Sequence, residues 1–251
     1  LLAGFLAVLS VLPAAAQSRL DDVKAAGVLK IGTEGTYAPF TFHDAKNELV
    51  GFDVEIGRAV AEKMGVKPQF LEGKWDGLIA GIDANRYDVV INQVGITDVR
   101  KAKYDFSAPY IVSKAVVIVR ADDDAIKSLA DLKGKKSAQS LTSNYSQIAA
   151  KAGAEVVGTD GFDQSIQLVL QRRADATIND SLSFFDFKTK KPDAPVKIAV
   201  TQEAAEQSGI LFRKGEDALK AALDKALSEI KADGTYSKIS QKYFGTDVSP
   251  Q

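Results

Sequence analysis

The stretch Trp75-Asp76-Gly77-Leu78-Ile79-Ala80-Gly81-Ile82-Asp83-Ala84-Asn85-Arg86-Tyr87-Asp88-Val89-Val90-Ile91-Asn92-Gln93 is spoken twice in this chain. It returns between Phe162 and Asp180, where Asp163, Ile166, Arg173, Asp175, Ile178 and Asn179 answer Asp76, Ile79, Arg86, Asp88, Ile91 and Asn92 at one constant offset. Trp75 meets Phe162, Ile82 meets Val169, and the match breaks at Gln93 against Asp180. A repeated helix-then-strand phrase means one supersecondary unit built twice. The break falls just past the carboxyl ends of the two expected strands, which is where open α/β sheets bind ligands. The chain therefore reads as two similar lobes whose matching corners face each other across a cleft.

Working outward, the 251 residues are enough for one large or two modest domains with a substantial core. Lys plus Arg number 32 against 33 for Asp plus Glu, so the charge balance gives no reason to expect nucleic acid or an anionic membrane. Cysteine is absent, which removes thiol catalysis and cysteine-based metal sites. His43 is the only histidine and sits in a polar turn, so histidine-rich zinc sites and a Ser-His-Asp triad are poorly supplied. No cofactor or metal is implied. The uncharged run from Leu1 ends in Ala14-Ala15-Ala16, and is expected to be a secretory leader, front-clipped and cleaved after Ala16. It is shorter than the roughly 20 residues of a membrane span.

Strand and helix signals alternate along the rest, as in parallel sheets with crossover helices. Val28–Gly32 reads as a buried strand. Phe52, Ile56, Val60 and Met64 recur every four residues, with Gly65 as the stop. Residues 67–71 are expected to extend, 76–84 to be helical, and 89–92 to form a strand. The second lobe carries strands near Ser137 and Val156, a helix from Ser143, the repeated helix, and a strand ending at Asn179. Two helices follow, 216–232 with a Leu219, Leu223, Leu227 stripe, and 235–243 after Gly234. The expected division is lobe 1 from 17–110 and 209–251, lobe 2 from 115–203, and hinge crossings at 111–114 and 204–208. Two crossings imply a discontinuous first lobe.

Several motifs now combine. Gly32-Thr33-Glu34-Gly35-Thr36-Tyr37-Ala38-Pro39-Phe40, Gly51-Phe52-Asp53-Val54-Glu55-Ile56, and Asn92-Gln93-Val94-Gly95-Ile96-Thr97-Asp98-Val99-Arg100 stand in order. Tyr104-Asp105-Phe106-Ser107-Ala108-Pro109-Tyr110, Arg173-Ala174-Asp175-Ala176 with Asp180, and Asp233-Gly234-Thr235-Tyr236 follow. As a set, they resemble the polar amino-acid-binding periplasmic proteins of bacterial ABC importers, over everything after the leader. The Trp75-Asp76-Gly77 and Asn92-Gln93-Val94 wording is most similar to the cystine-binding branch. The resemblance implies an α/β, two-lobed, type II periplasmic-binding-protein-like fold. Each lobe would be a mainly parallel sheet flanked by helices, joined by a two-stranded hinge. It also implies a periplasmic monomer, a small-molecule amino acid as ligand, cystine preferred, and an ABC importer permease as partner.

The residues carry their own chemistry beside that resemblance. Arg100 follows Thr97, a good helix N-cap, and its planar fork can take a carboxylate through two parallel hydrogen bonds; alternatively it is a solvated arginine beside Lys101 and Lys103. Asp180 ends a strand and can partner an ammonium or cap the helix from Ser181. The resemblance assigns the ligand carboxylate to Arg100 and the ammonium to Asp180. Thr142, Ser143, Asn144 and Tyr145 stand where the family opens a helix with a Gly-Thr loop, so hydroxyls and amides would meet the carboxylate from the opposite wall. Thr142 replaces the usual glycine, and Gly95 replaces a usual hydroxyl. Tyr37, Phe52 and Trp75 match aromatic pocket positions, although Phe52 equally continues its helix's apolar stripe. Asn92, Gln93 and Val94 complete the candidate ligand contacts, and Gln207 is a weaker polar candidate.

The leading expectation is a solute-binding protein that closes over a polar amino acid and performs no bond chemistry. The alternative is a secreted dehydratase acting on prephenate-like acids on the same fold, with Glu34 or Asp180 as the acid-base group.

Overall fold

The computed structural model describes residues 18–250, so the expected leader at 1–16 lies outside the described residues. Helix α1 (Arg19–Ala26) starts at a capping box, with Ser18 and Asp21 satisfying each other's backbone N–H groups, and ends at Gly27 in the left-handed region. Strand β1 (Val28–Thr33) follows, then a small antiparallel sheet of β2 (Thr36–Tyr37), β3 (Thr41–His43) and β4 (Leu49–Val50). Helix α2 (Phe52–Lys63) buries Phe52, Ile56 and Val60 completely, as its four-residue spacing requires. Next come β5 (Lys67–Glu72), α3 (Trp75–Leu78), α4 (Ala80–Asp83), β6 (Val89–Val90), α5 (Asp98–Lys103) and β7 (Tyr104–Phe106).

Strand β8 (Ile111–Arg120) carries the chain into the second lobe. That lobe holds a 3₁₀ turn (Leu129–Leu132), β9 (Lys136–Gln139), α6 (Asn144–Lys151), β10 (Glu155–Gly158), α7 (Phe162–Leu170), β11 (Ala176–Asp180) and α8 (Ser181–Lys190). Strand β12 (Val196–Ser208) brings the chain back to β13 (Leu211–Arg213), α9 (Asp217–Ala232) and α10 (Thr235–Phe244). On α9 the predicted stripe Leu219, Leu223 and Leu227 is buried.

Two five-stranded sheets form the lobes, ordered β5-β1-β6-β13-β7 and β10-β9-β11-β8-β12. Within each, the first three strands are parallel, the fourth runs against them, and the fifth runs against the fourth. All strands but the fourth therefore point one way, so each sheet is mainly parallel. The reversed strand is β13 in one sheet and β8 in the other, each the first strand reached after the chain changes lobe. The repeat seen in the sequence is thus a repeat of topology: β6 and β11 hold the same place in their sheets.

The two copies differ in one respect that the sequence reading did not foresee. The helix expected over 76–84 is split at Ile79 into α3 and α4, whereas α7 is continuous. The Tyr87 hydroxyl donates to the carbonyl of Leu78, the acceptor that would otherwise serve the helical ladder. A Cβ on Gly81 would sit 2.1 Å from that hydroxyl oxygen, so glycine is what admits the ring. The second copy has Ala174 in place of Tyr87, and nothing interrupts its helix.

Between the lobes, β8 and β12 pair continuously from Ile111↔Ser208 to Lys114↔Ala205, and again from Val116↔Thr201 onward, with the register shifting in between. Residues 111–114 and 204–208, the expected crossings, lie within the long strands β8 and β12.

Candidate functional site

The wall supplied by the first lobe is built at the carboxyl ends of β1 and β6. Asn92 is fully buried; its Oδ1 accepts from the Glu34 N–H at 2.8 Å and Thr33 Oγ1 at 3.1 Å, and its Nδ2 donates to Glu34 Oε2 at 2.5 Å. Burial pushes the Glu34 carboxyl up to about 7, against the lowering effect of that Asn92 bond. Gln93 has φ 50°, an unusual backbone for a non-glycine residue. Asp53 holds it there, accepting from its N–H at 2.7 Å and its Nε2 at 2.8 Å, while Tyr110 donates to the same carboxyl at 3.1 Å. Strain at a cleft edge, fixed by a buried carboxylate, is a common signature of a functional corner.

Arg100 stands on α5, whose N-cap Thr97 accepts the Arg100 N–H at 3.3 Å. Its guanidinium is not solvated: the residue is 9% exposed, and burial lowers its pKa to about 10. Nη1 donates to Gly95 O at 3.0 Å, and the guanidinium lies 5.2 Å from the Trp75 ring centroid. Arginine carries five N–H donors, so most of this fork is open to an anion.

The facing wall comes from the start of α6 and the end of β11. Ser143 caps α6, accepting from Ser146 N–H at 3.0 Å, and Asn144 and Tyr145 form the first turn. Asp180 caps α8 through Leu182 N–H at 2.8 Å and also accepts from Ser113 Oγ. Burial raises its carboxyl to about 7.

Contacts across the cleft are made in this structure. The Tyr37 hydroxyl donates to Asn179 Oδ1 at 2.7 Å, and Ser183 Oγ to Ala38 O at 3.0 Å. Thr142 gives both its N–H and its hydroxyl to Asp76 Oδ1 at 2.9 Å, and Leu141 N–H adds a bond to Oδ2 at 3.3 Å. Lys74 and Asp160 pair at 2.7 Å. The lobes are closed on each other.

Between them lies a pocket with about 480 Å³ of empty space, part of it open to solvent. Of the residues anticipated from sequence, Tyr37, Trp75, Asn92, Gln93, Ser143, Asn144 and Tyr145 line it. Arg100, Gly95 and Asp180 abut it through Trp75, Asn144 and Asn179 and are not among its lining residues. Three candidates belong elsewhere. Phe52 is fully buried among Tyr110, Tyr236 and Phe244, so its helix stripe decided its place. Val94 is fully buried in the cluster beneath Trp75. Thr142 is exposed, its hydroxyl engaged with Asp76 at the rim.

Glu34, Gln139, Ser140, Gly161, Phe162, Ser165 and Asn179 also line the cavity. The repeat contained the signal for two of them: Phe162 and Asn179 are the counterparts of Trp75 and Asn92, and both pairs face the same space. Trp75 Nε1 and Gln93 Oε1 are buried without a partner, one donor and one acceptor at the cavity wall. A guest that satisfies both recovers the roughly 1–3 kcal/mol that each unpaired buried group costs.

Comparison with known proteins agrees with this geometry. The sequence profile of the bacterial extracellular solute-binding proteins, family 3, matches residues 29–246. The L-cystine-binding protein TcyA of Bacillus subtilis is 49% identical over 229 residues, covering 91% of this chain and 85% of its own length. Among solved structures, an ancestral arginine-binding protein bound to arginine superposes with a TM-score of 0.82 at 40% identity, over 87% of this chain and 99% of that one. The L-cystine solute receptor of Neisseria gonorrhoeae, unliganded and open, is 48% identical over 92% of this chain and 99% of its own, yet its TM-score is 0.61. Higher identity with poorer overlap is what a different angle between two rigid lobes produces.

Proposed function

The chain belongs to family 3 of the bacterial extracellular solute-binding proteins, and on that premise we propose that it captures a polar L-amino acid, L-cystine by preference, in the cleft between its lobes. It is a binding protein and not an enzyme. The observation that carries the ligand assignment is the buried guanidinium of Arg100, with one hydrogen bond to Gly95 O, against a cleft pocket that Glu34 lines and that the buried Asp180 abuts through Asn179. A zwitterion meets both needs at once: its carboxylate takes the open fork and its ammonium the acidic end. Charged ends are buried tolerably only when each is so paired.

The hinge in this reading is formed by residues 111–114 and 204–208, with lobe 1 comprising 17–110 and 209–251 and lobe 2 comprising 115–203. The ligand docks on one open lobe and biases the equilibrium through contacts made only on closure. The closed form is then recognised by the permease of an ABC importer, to which the protein delivers its ligand as a monomer exported to the periplasm by its leader. Glu34 and the orphaned Trp75 and Gln93 atoms receive polar groups of the ligand, and cystine, with an amino acid at either end and an apolar disulfide between, suits a pocket whose polar groups alternate with the rings of Tyr37, Trp75 and Phe162.

The test is calorimetric titration with L-cystine. Wild-type protein is expected to bind it, and Arg100→Ala to weaken binding at least about 100-fold, since the variant leaves a carboxylate buried and unpaired. Near-wild-type affinity in the variant would discard the site. A thermal-shift screen over the common amino acids plus cystine ranks the ligands, because binding to the folded form raises the melting temperature.

A further inference from the structure

Glu206 lies on β12, the strand that returns between the lobes, and neither motif nor spacing singled it out. It stands opposite Ser113 in the antiparallel ladder with β8, so the two side chains share a face. Ser113 Oγ donates to Asp180 Oδ2, which brings the Glu206 and Asp180 carboxyls to the same side of the crossing strands. Asn144 Nδ2 lies 3.5 Å from Glu206 Oε1, and the Tyr145 hydroxyl donates to the same carboxyl. Arg100 acts on Glu206 from the first lobe. Glu206 thus sits where the carboxylate-holding and ammonium-holding ends of the cleft meet.

Asp180 alone is an incomplete partner for an ammonium. One of its oxygens serves the Leu182 N–H and the other serves Ser113, while an ammonium brings three donors. A second carboxylate supplies the missing acceptor. Two carboxylates so close repel each other in a site of low dielectric until a cation comes between them. Burial is the first cause raising the pKa of each, and Glu206 is a further cause raising that of Asp180, which accords with that repulsion.

We propose that Glu206 is the second carboxylate of an ammonium well, and that with Asp180 it selects a ligand's α-ammonium over the hydroxyl, keto group or hydrogen of an otherwise matching acid. The inference rests on the amino-acid reading above and adds to it the residue that enforces the amine. A ligand without the amine leaves the buried Asp180 carboxyl and the half-buried Glu206 carboxyl on the same side of the crossing strands with no cation between them.

Two ligand pairs test it by calorimetry and competition at neutral pH: L-cystine against dithiodipropionate, and L-arginine against guanidinovalerate, each acid lacking only the amino groups. Glu206→Gln keeps size and hydrogen bonding but not charge. It is expected to weaken the amino acids about 10- to 100-fold and to leave the des-amino acids within about threefold, so that discrimination collapses. Glu206→Asp, which restores the charge on a shorter stem, is expected to recover part of the discrimination. Equal loss for both members of a pair would make Glu206 structural and overturn the inference. A gain for both would show a carboxylate competing with the ligand for Arg100, which also overturns it. If wild-type protein binds neither amino acid, the amino-acid reading falls and takes the inference with it. Intact discrimination in Glu206→Gln removes the inference alone.

Discussion

At the scale of the residue, the site shows which signals a sequence can carry. The local placement of Arg100 and Asp180 was legible, because Thr97 caps the helix that carries Arg100 and Asp180 itself caps the helix after its strand; both side chains are buried. Phe52 was not, because pocket and core make the same demand of an aromatic ring on a helix stripe. Glu206 was hidden for another reason: only the pairing of β12 with β8 says that its side chain, and not that of neighbouring Gln207, shares a face with Ser113. Gly95 gives a residue-scale prediction. A Cβ there would lie 3.5 Å from Arg100 Nη1 and 3.8 Å from Asn144 Nδ2, ordinary contact distances, so Gly95→Ser fits without displacing either neighbour. It is expected to leave the melting temperature within about 2 °C, as for other surface-compatible changes, while altering the ranking of amino acids in a ligand screen. A collapse in melting temperature would contradict this account of the space.

At the scale of the element, the repeat foretold the paired helices and strands and even the cavity-facing pairs Trp75–Phe162 and Asn92–Asn179. It could not foretell the break between α3 and α4, which depends on where one tyrosine hydroxyl lands. The loop before α6 is joined to the start of α3 by three bonds to the Asp76 carboxylate, two of them from Thr142. Such bonds to a charged acceptor are among the stronger kind, and they form only when the lobes meet. Asp76→Ala is therefore expected to weaken ligand binding about 5- to 20-fold through faster release. The Lys74–Asp160 pair also spans the cleft, but its side chains are 74% and 66% exposed. Exposed pairs contribute little, so Lys74→Ala should change affinity less than about threefold. Surface plasmon resonance with both variants distinguishes the two contacts; equal effects would refute the ranking.

At the scale of the whole molecule, folding buries several acids whose charge no basic group among the described residues neutralises. Glu34, Asp53 and Asp180 are each raised to about 7, from ordinary values of 4.5 for the glutamate and 3.8 for the aspartates, in every case chiefly by burial. The folded protein therefore holds these protons more tightly than the unfolded chain does. Their contribution favours folding at low pH and is lost as pH rises from the ordinary carboxylate range through about 7. Calorimetric melting of the ligand-free protein should show a transition several degrees lower at mildly alkaline pH than at mildly acidic pH. Asp180→Asn should flatten that fall, and so should a saturating amino acid whose ammonium stabilises the ionised carboxyls. A melting temperature that climbs across this window would reverse the sign assigned to all three groups.

Trp75 is the sole tryptophan, and its indole N–H sits unpartnered at the cavity wall under a guanidinium. The protein consequently carries its own optical gauge, because the emission of that ring reports the polarity and charge at the point where a guest arrives. Stopped-flow spectroscopy can then time docking and lobe motion without attaching a dye. The absence of thiols leaves the surface free for a pair of labels placed by design, one on each side of the cleft.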